Sequence, residues 1–577
     1  MRTLGLNISG YIASAALAVD ADLVAAGCEE RYSRVKRDRN FPVRALRDAL
    51  SRAGLTASDL DGVAVAWNPS RNLRRNLNLL WDANTFRGKY LTYVPNNLAT
   101  ALDVEPDDQT TQDILGLRVT YLDHHLAHAA SAAFTSPWPS GAVVTIDAFG
   151  EEDTLTIGTF RDGRIDVAER VKFPHSVGSF YSFFTEFLGF QPDADEYKVM
   201  ALGAYADPAE GAKLLERVRT LYTLDVQNGR LRYELDLNRF EHYVFHRPRD
   251  YGPLAAAIGL PARPAGGPLD GRHYALAWAL QRSFEDTVFQ VLRHARAVTG
   301  ERRVALAGGC FMNSVANGKL ELGDAPFDEV HIPPWPDDSG SAIGAALYAN
   351  LAGRGGHRFV RHAFFGPEVT GPRAAEALTR RKLASSRLAD PAAAVAERVA
   401  AGDIVGYAAG GMEFGQRALG HRSIFADPRD PQVRDKVNEH VKRREWFRPY
   451  AASILAERVH EVFEAPAGFQ SLYMEKVRPV RALWRERIPG LLHADGTVRV
   501  HTVDAATNPR LHAVLTAFAG LTGVPLILNT SFNVAGMPIV CSADDALDCF
   551  FGCGLDTLVL DDRLVQKGAV LRGDAAP

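Results

Sequence analysis

Residues 123–133 read DHHLAHAASAA, and residues 142–147 read AVVTID. The alanine-rich run of the first stretch favours a helix, on which His124 and His128 share one face, about 6 Å apart along the axis. The second stretch predicts a buried strand that ends at Asp147. A histidine pair of this spacing and a carboxylate at a strand end together favour a metal site over two structural histidines and a turn aspartate.

Length and composition indicate an ordinary soluble globular protein. The chain has 577 residues, of which 46% are hydrophobic and 23% charged, enough for at least two domains with real cores. The net charge of −4 argues against a nucleic-acid-binding surface, and no apolar run reaches membrane-spanning length. The start of the chain lacks a signal-peptide pattern, and the five cysteines form no CxxC pairs. We therefore expect a cytoplasmic protein with reduced thiols and no membrane partner.

A succession of three predicted strands at the start of the chain recurs about 140 residues later. The strands are residues 3–8, 14–19 and 23–27 in the first set, and residues 143–147, 154–160 and 165–171 in the second. This recurrence predicts a duplicated α/β domain whose two lobes close on a cleft.

Two later strand ends carry residues suited to a nucleotide or a metal ion. Gly308 and Gly309 follow the predicted strand 303–307, and a helix follows them. Such a turn lets the backbone approach a phosphate closely, although many such turns use glycine only for packing. Asp338 precedes a helix of small residues, so it either faces the same cleft as Asp147 or caps that helix.

The character of the chain changes after residues 351–356, where we place a linker and the opening of a second domain. This domain contains a basic block formed by Arg417, Arg422, Lys442, Arg444 and Arg448. Apolar neighbours surround its arginines, and guanidinium groups held in this way grip planar anions. The block favours a small phosphorylated ligand over a solvated basic face. Nucleic acid would require an aromatic-rich basic strip, which the sequence does not contain.

Six long motifs resemble the signatures of the NodU/CmcH-type O-carbamoyltransferases, which include enzymes that carbamoylate antibiotics and nodulation factors. The motifs are HHLAHAASAAF (124–134), EYKVMALGAY (196–205), AGGCFMNSVANGKL (307–320), MEFGQRALGHRSI (412–424), KRREWFRP (442–449) and LNTSFNVAGMPIV (528–540). They occur in the family's order over nearly the whole chain, so the resemblance is specific. Function is inferred from these sites rather than from the fold.

The resemblance implies an α/β protein of two domains. Residues 1–358 would form a duplicated actin/hexokinase/Hsp70-like (TsaD-like) domain for carbamoyl transfer, and residues 359–577 a YrdC-like domain. The YrdC-like domain would join carbamoyl phosphate and ATP, with Mg²⁺, into carbamoyl-adenylate. The TsaD-like domain would then pass the carbamoyl group to a hydroxyl of a small natural product, such as an antibiotic, macrolide or sugar. No nucleic-acid partner is implied, and a homodimer is compatible with the resemblance.

The resemblance also implies roles for individual residues. A metal ion, Fe²⁺ by family analogy, would be held by His124, His128, Asp147 and Asp338. The carbamoyl-adenylate would contact Lys36, Gly308, Gly309 and Asn313 in the first domain. In the second domain, carbamoyl phosphate and ATP would contact Arg417, Arg422, Lys442, Arg448, Arg499, Asn529 and Ser531. Of these, Arg417, Lys442 and Arg448 would be catalytic.

The chain departs from the family at the first hairpin, where a His-Asp pair usually stands and Tyr11-Ile12 stands here. Ser9 and Tyr11 occupy positions that face the acceptor in relatives, and Asp236 is a further candidate contact. Residues 70–118 and 225–270 look irregular and are predicted to shape the acceptor site. A free tyrosine titrates at about pH 10, so we expect Tyr11 to orient the acceptor rather than act as a base. An acceptor without ammonium groups would suit this site.

Two other functions would use part of the same features. A tRNA-modifying or hydrogenase-maturation enzyme with related adenylate chemistry would need a basic surface or zinc-knuckle cysteines, and the sequence supplies neither. A sugar kinase-like ATP-binding protein would leave the arginine block unexplained.

Overall fold

The computed structural model describes residues 1–68, 94–101, 117–242 and 249–567. The chain divides into two compact units, one containing residues 1–29 and 38–360, the other residues 30–37 and the chain from 361 onward. The division after Val360 lies two residues beyond the predicted boundary. The segment 30–37, which the prediction placed in the first domain, belongs to the second unit.

Two five-stranded sheets form the framework of the first unit. The first sheet contains β1 (Arg2–Asn7), β2 (Ser14–Val19), β3 (Asp22–Cys28), β4 (Gly62–Val65) and β5 (Arg118–Tyr121). The chain continues with β6 (Ser140–Ile146), β7 (Asp153–Arg161), β8 (Arg164–Lys172), the hairpin β9 (Tyr222–Gln227) and β10 (Arg230–Leu235), and then β11 (Arg303–Ala307) and β12 (Glu329–His331).

The two sheets share one topology. Their strand orders are β3-β2-β1-β4-β5 and β8-β7-β6-β11-β12. In each sheet the first three strands are antiparallel and the last two run parallel to the first strand of the set. The predicted α/β class and its duplication are therefore confirmed.

Helices connect and cover these strands. They are α1 (Glu29–Ser33), α2 (Val43–Ala53), α3 (Val94–Ala101), α4 (His124–Ala133), α5 (Val177–Phe187), α6 (Glu196–Leu202), α7 (Pro208–Arg219), α8 (Gly252–Ile258), α9 (Gly271–Thr299), α10 (Ser314–Lys319) and α11 (Ser341–Leu351). Side chains of Asp207, Asp270 and Asn313 accept backbone N–H groups at the starts of α7, α9 and α10, as N-caps do. Among the helices that the structure describes, none combines the length and apolarity needed to cross a bilayer.

The acceptor segments predicted from sequence are only partly visible. Of residues 70–118, the ranges 70–93 and 102–116 lie outside the described residues. Residues 225–235, predicted to be irregular, belong instead to the β9–β10 hairpin, whose strands pair antiparallel.

Helix α11 approaches α4 and the first sheet so closely that glycine is required. A Cβ on Gly344 of α11 would lie 1.8 Å from the carbonyl oxygen of Ala127 in α4. A Cβ on Gly5 of β1 would lie 1.9 Å from the carbonyl oxygen of Ala342. Backbone therefore packs on backbone at both positions, and α11 is held against α4 and β1 without intervening side chains.

The variant Gly344→Ala should destabilise the first unit by about 1–3 kcal/mol, because the added methyl group must push α11 away from α4. Gly271→Ala, at the first residue of α9, is the matched control, since a Cβ there has nothing within 4 Å. The control should be neutral or up to about 1 kcal/mol stabilising. Urea denaturation measures both, and equal stability of the two variants would contradict the close contact.

A nine-stranded mixed sheet forms the framework of the second unit. The strands of this unit are β13 (Glu368–Val369), β14 (Ser386–Arg387), β15 (Val405–Ala408), β16 (Gly410–Gly411), β17 (Arg422–Ala426), β18 (Ala451–Leu455), β19 (Lys476–Pro479), β20 (Thr497–Val503), β21 (Leu526–Ser531), β22 (Thr557–Leu560) and β23 (Arg563–Gln566). The order in the large sheet is β14-β23-β22-β15-β17-β21-β18-β20-β19, and β13 pairs with β16 separately.

The helices of the second unit pack against this sheet through apolar side chains. They are α12 (Gly371–Arg380), α13 (Pro391–Ala400), α14 (Val433–Lys436), α15 (Val459–Val462), α16 (Ala482–Arg485), α17 (Pro509–Thr522) and α18 (Ala543–Phe551). Ala452, Val500 and Leu528 of the sheet are buried in one core with Val514 and Phe518 of α17. That this unit is YrdC-like stays a prediction.

The segment 30–37 is held to the second unit by its arginines. Arg31 donates to the carbonyl of Gly415 at 2.9 Å. Arg34 donates to the carbonyls of Ile539 and Pro538 at 2.7 and 3.0 Å. These bonds make an early piece of the chain part of the later unit.

Candidate functional site

The four predicted metal ligands meet in the first unit. His124, His128, Asp147 and Asp338 each offer one ligand atom, and these atoms lie within 4.8 Å of one another. Nε2 of His128 is 3.0 Å from Oδ2 of Asp147 and 3.5 Å from Oδ1 of Asp338. Nε2 of His124 is 3.6 and 3.5 Å from the same oxygens. The structure thus gathers the four side chains, whereas their binding of a metal stays a prediction.

Local structure explains why these side chains converge. Helix α4 begins at His124, and four residues later His128 returns to the same face. Asp147 directly follows β6. Asp338 lies in a short turn before α11, and no side chain caps that helix. Of the two predicted roles for Asp338, capping is therefore excluded, and its carboxylate faces the histidines.

The donor set fits a divalent first-row metal such as Fe²⁺, since imidazole nitrogens and carboxylate oxygens are its usual ligands. Oδ2 of Asp147 is buried, and among the described residues no donor is in hydrogen-bonding geometry with it. Nδ1 of His124 is 3.3 Å from the carbonyl oxygen of Ala66. A proton on Nδ1 satisfies that carbonyl and leaves the Nε2 lone pair for a ligand bond.

The charges of the four groups are strongly coupled. Burial opposes a charge on the imidazoles, but Asp338 and Asp147 outweigh it and raise the pKa of His124 well above its ordinary value. They also raise the pKa of His128. Burial likewise opposes the carboxylate charge, yet the neighbouring histidines hold the pKa of Asp147 well below its usual range. The group therefore stabilises positive charge between its carboxylates.

Two further side chains support the ligands from outside. Ser9, predicted to face the acceptor, donates its hydroxyl to Oδ2 of Asp338 at 2.8 Å. Both carboxylate oxygens of Glu151 accept the backbone N–H of His124 at 3.1 Å, and burial raises the pKa of Glu151 to about 7. The sequence analysis missed Glu151, although it stands beside the strand-end motif that begins at Asp147.

The predicted glycine pair lies beside His124, His128, Asp147 and Asp338, four side chains that we call the metal-type group. Gly308 has φ 100°, and a Cβ there would lie 2.2 Å from the carbonyl oxygen of Ile146. A Cβ on Gly309 would lie 3.0 Å from Oδ1 of Asp147. A larger residue at Gly308 is therefore excluded, and Gly309 brings the backbone close to the Asp147 carboxylate.

The remaining predicted residues of the first unit have mixed placements. Asn313 caps α10 and exchanges hydrogen bonds with Gln281. Tyr11 is half-buried in the loop between β1 and β2. Asp236 accepts a hydrogen bond from Arg239 at 2.8 Å, and among the described residues no hydrogen bond or ion pair joins it to the metal-type group. Its role as an acceptor contact has no support from these contacts.

The variant His128→Ala should lose bound iron, because removal of one imidazole leaves two carboxylates with a single neutral nitrogen ligand. Metal content of the anaerobically reconstituted protein is the measurement, with circular dichroism to check folding. His512→Ala, a histidine that pairs with Glu457 on the second unit, is the control and should keep its metal. Equal iron in both variants would contradict the ligand assignment.

The second unit gathers cations instead. Lys442 is buried, and its ammonium donates to the carbonyl and hydroxyl of Ser531 at 2.6 and 3.1 Å and to Oδ1 of Asn533 at 2.7 Å. Burial lowers the pKa of Lys442 well below its ordinary value, and Arg444, Arg448 and Lys36 lower it further. Lys36, predicted to contact the adenylate from the first domain, thus belongs with these cations of the second unit.

Arg499 extends this group of positive charges. Its Nε is buried and without a hydrogen-bond partner in the described chain. Burial lowers the pKa of Arg499 well below its ordinary value, with further lowering by Arg417, Arg444 and Arg448. The structure therefore brings the predicted Arg417, Lys442, Arg448 and Arg499 into one charge cluster. A bound anion would relieve both their desolvation and their mutual repulsion.

Arg422 does not belong to this ligand-facing group, contrary to the prediction. Its side chain is fully buried, and its guanidinium donates to backbone carbonyls rather than to an open site. The acceptors are the carbonyls of Pro367, Ala409, Gly410, His421 and Cys541. The sequence analysis did not single out Glu413. Its carboxylate accepts hydrogen bonds from the backbone N–H groups of Leu419, His421 and Arg422. The two residues hold the loop that carries Arg417.

The variant Arg422→Met should destabilise the second unit by at least about 3 kcal/mol, since several buried carbonyls lose their donor at once. Arg448→Met removes a partly exposed guanidinium from the same block and should cost about 1 kcal/mol or less. Differential scanning calorimetry separates the two. A similar melting temperature for both variants would show that Arg422 does not stabilise the second unit through its hydrogen bonds.

Comparison with known proteins agrees with the division of the chain into two units. The family model described as Carbamoyltransferase N-terminus matches residues 2–347, and the one described as Carbamoyltransferase C-terminus matches residues 396–567. Nodulation protein NolNO of Sinorhizobium fredii is 34% identical over 564 residues, which cover 96% of this chain and 78% of the relative. Nodulation protein NolO of Bradyrhizobium diazoefficiens is 36% identical over 456 residues, which cover 77% of this chain and 79% of the relative. The chain belongs to the carbamoyltransferase family, and the predicted membership is confirmed.

Among solved structures, component A of (R)-2-hydroxyglutaryl-CoA dehydratase from Acidaminococcus fermentans is similar to this chain with a TM-score of 0.34 and 15% sequence identity. The similarity covers 61% of this chain and 98% of that protein.

Proposed function

We propose that this carbamoyltransferase makes carbamoyl-adenylate from carbamoyl phosphate and ATP, and transfers the carbamoyl group to a hydroxyl of a small natural product. The observation that carries this proposal is the partly buried cation cluster of the second unit. Its members Lys442 and Arg499 are desolvated, and the charges that act on Arg499 are other arginines. Such a cluster is built for a ligand with several negative charges.

Carbamoyl phosphate and the triphosphate of ATP with Mg²⁺ are ligands of this kind. We assign Arg417, Arg448 and Arg499 to their oxygens, because guanidinium groups hold phosphates bidentately. Lys442 and Ser531 already share hydrogen bonds, and the ammonium can turn toward a phosphate oxygen when one arrives. Formation of the adenylate releases pyrophosphate from ATP and phosphate from carbamoyl phosphate, with one water consumed.

The first unit would hold the adenylate for transfer. The backbone at Gly309 can approach a phosphate beside Asp147, whereas the N–H of Gly308 already donates to the carbonyl of Pro336. When bound at His124, His128, Asp147 and Asp338, Fe²⁺ would supply Lewis-acid polarisation of nearby oxygens. Ser9 keeps the Asp338 carboxylate in place through its hydroxyl.

For the acceptor we propose a hydroxylated small molecule such as an antibiotic, macrolide or sugar. Tyr11 stands where relatives carry a charged pair, so the site lacks those charges. A carbamoyl-adenylate is already activated, and the acceptor hydroxyl needs orientation more than a strong base. Tyr11 would supply this orientation by contact or hydrogen bonding with the acceptor.

The variant Arg448→Met should reduce pyrophosphate release from ATP in the presence of carbamoyl phosphate by about 10²-fold or more, because it loses a charge-assisted grip on the reacting phosphates. Arg458→Met is the matched control, since Arg458 pairs with Glu461 at the surface of the same unit. The control should keep its activity. Normal release by Arg448→Met, or release by the unaltered protein that does not depend on carbamoyl phosphate, would contradict the proposal.

A further inference from the structure

Asn529, Ser453 and His501 lie on one face of the large sheet. Ser453 of β18 pairs in register with His501 of β20, and Ala451, two residues earlier, pairs with both Asn529 and Arg499. Side chains two residues apart on a strand point to the same face. Asn529 and Arg499 are therefore separated only by the small side chain of Ala451, about 10 Å apart across two strand spacings.

A chain of hydrogen bonds fixes the orientation of the Asn529 amide. Its Nδ2 lies 2.8 Å from Oγ of Ser453 and 3.4 Å from the carbonyl oxygen of Ala418. A carbonyl only accepts hydrogen bonds, so the group that faces Ala418 must be the NH₂ of the amide. Both amide hydrogens are thereby directed away from Oδ1.

Ser453 and His501 complete this chain. Oγ of Ser453 is 2.8 Å from Nδ1 of His501, and burial lowers the pKa of His501 to about 3, so the imidazole is neutral. The consistent assignment has the Ser453 hydroxyl donating to Nδ1, with the Oγ lone pair accepting from Asn529. Ser453 and Asn529 are both fully buried and His501 nearly so, and these side chains are therefore shielded from bulk solvent.

The same arrangement leaves one acceptor unused. Oδ1 of Asn529 is buried and has no hydrogen-bond partner among the described residues. On the other side of Ala451, Nε of Arg499 is a buried donor that also has no hydrogen-bond partner among the described residues. A buried amide oxygen without a donor is costly, and a pair of this kind marks a place where a ligand is expected.

We propose that Ser453 and His501 are positioning residues for carbamoyl phosphate: they keep the Asn529 amide turned so that its Oδ1 accepts from the amino group of the substrate. The inference rests on the proposed function and extends it to the choice of substrate. The amino group of a carbamoyl compound is an N–H donor beside an anion. Acetyl phosphate has the same shape, but a methyl group replaces the donor.

The chemistry predicts strong discrimination between these two substrates. Oδ1 of Asn529 would accept an N–H of the carbamoyl group, while the cations hold the phosphate. With acetyl phosphate the buried oxygen would stay unpaired, and sites that hydrogen-bond a substrate group reject analogues lacking it. Without Ser453 the Asn529 amide could turn its NH₂ toward the ligand, which suits a methyl group no worse than an amino group.

The test measures the ratio of kcat/KM for carbamoyl phosphate to that for acetyl phosphate in ATP-dependent pyrophosphate release. We expect a ratio of about 10² or more for the unaltered protein. The ratio should fall at least tenfold in Ser453→Ala, mainly through a higher KM for carbamoyl phosphate, with the KM for ATP nearly unchanged. Ser453→Thr keeps the hydroxyl and should retain the ratio. His501→Phe keeps a ring but removes the acceptor, and should lower the ratio severalfold.

The outcomes separate this inference from the function on which it rests. No carbamoyl phosphate-dependent release by the unaltered protein would overturn the proposed function, and the inference with it. Release with no preference for carbamoyl phosphate would overturn the inference alone. An unchanged ratio in folded Ser453→Ala would also overturn it. If Ser453→Ala fails to fold, an unchanged ratio in His501→Phe would overturn the inference instead.

Discussion

The approach of helix α11 to helix α4 is the constraint on which the first unit depends. Gly344 rests on the carbonyl of Ala127, with no room even for a methyl group. The two helices thereby meet at backbone distance, and the turn before α11 delivers Asp338 to the histidines of α4. Asp147 comes from β6 of the neighbouring sheet. Three separate elements contribute these side chains, so the group exists only when the duplicated framework is assembled.

Burial acts on charged groups of opposite kinds in the two units. In the first, carboxylates and imidazoles are buried together and stabilise one another's charged forms. In the second, the buried Lys442 and the partly buried Arg499 lie among other cations, so burial and mutual repulsion disfavour their charged forms. The two environments therefore suit ligands of opposite charge, a cation in the first unit and an anion in the second.

Sequence reasoning succeeded where the placement of side chains follows from local geometry. Helical spacing placed His124 and His128 together, and a strand end placed Asp147 beside them. It could not separate Arg422 from Arg448, because both stand in basic motifs and only tertiary packing decides which guanidinium is enclosed by carbonyls. It could not detect Ser453 and His501 either. These two residues are 48 positions apart, and only the register of β18 on β20 makes them neighbours.

The segment 30–37 has a consequence for how the protein is made. The ribosome synthesises Arg31 and Arg34 long before their partners Gly415, Pro538 and Ile539, which lie 384 to 505 positions later. The second unit therefore cannot complete its packing until translation of nearly the whole chain has finished. Loop closure over such separations is slow, and the early segment must wait in an unpaired state. A fragment that begins at residue 361 would lack two arginines that hold its own loops.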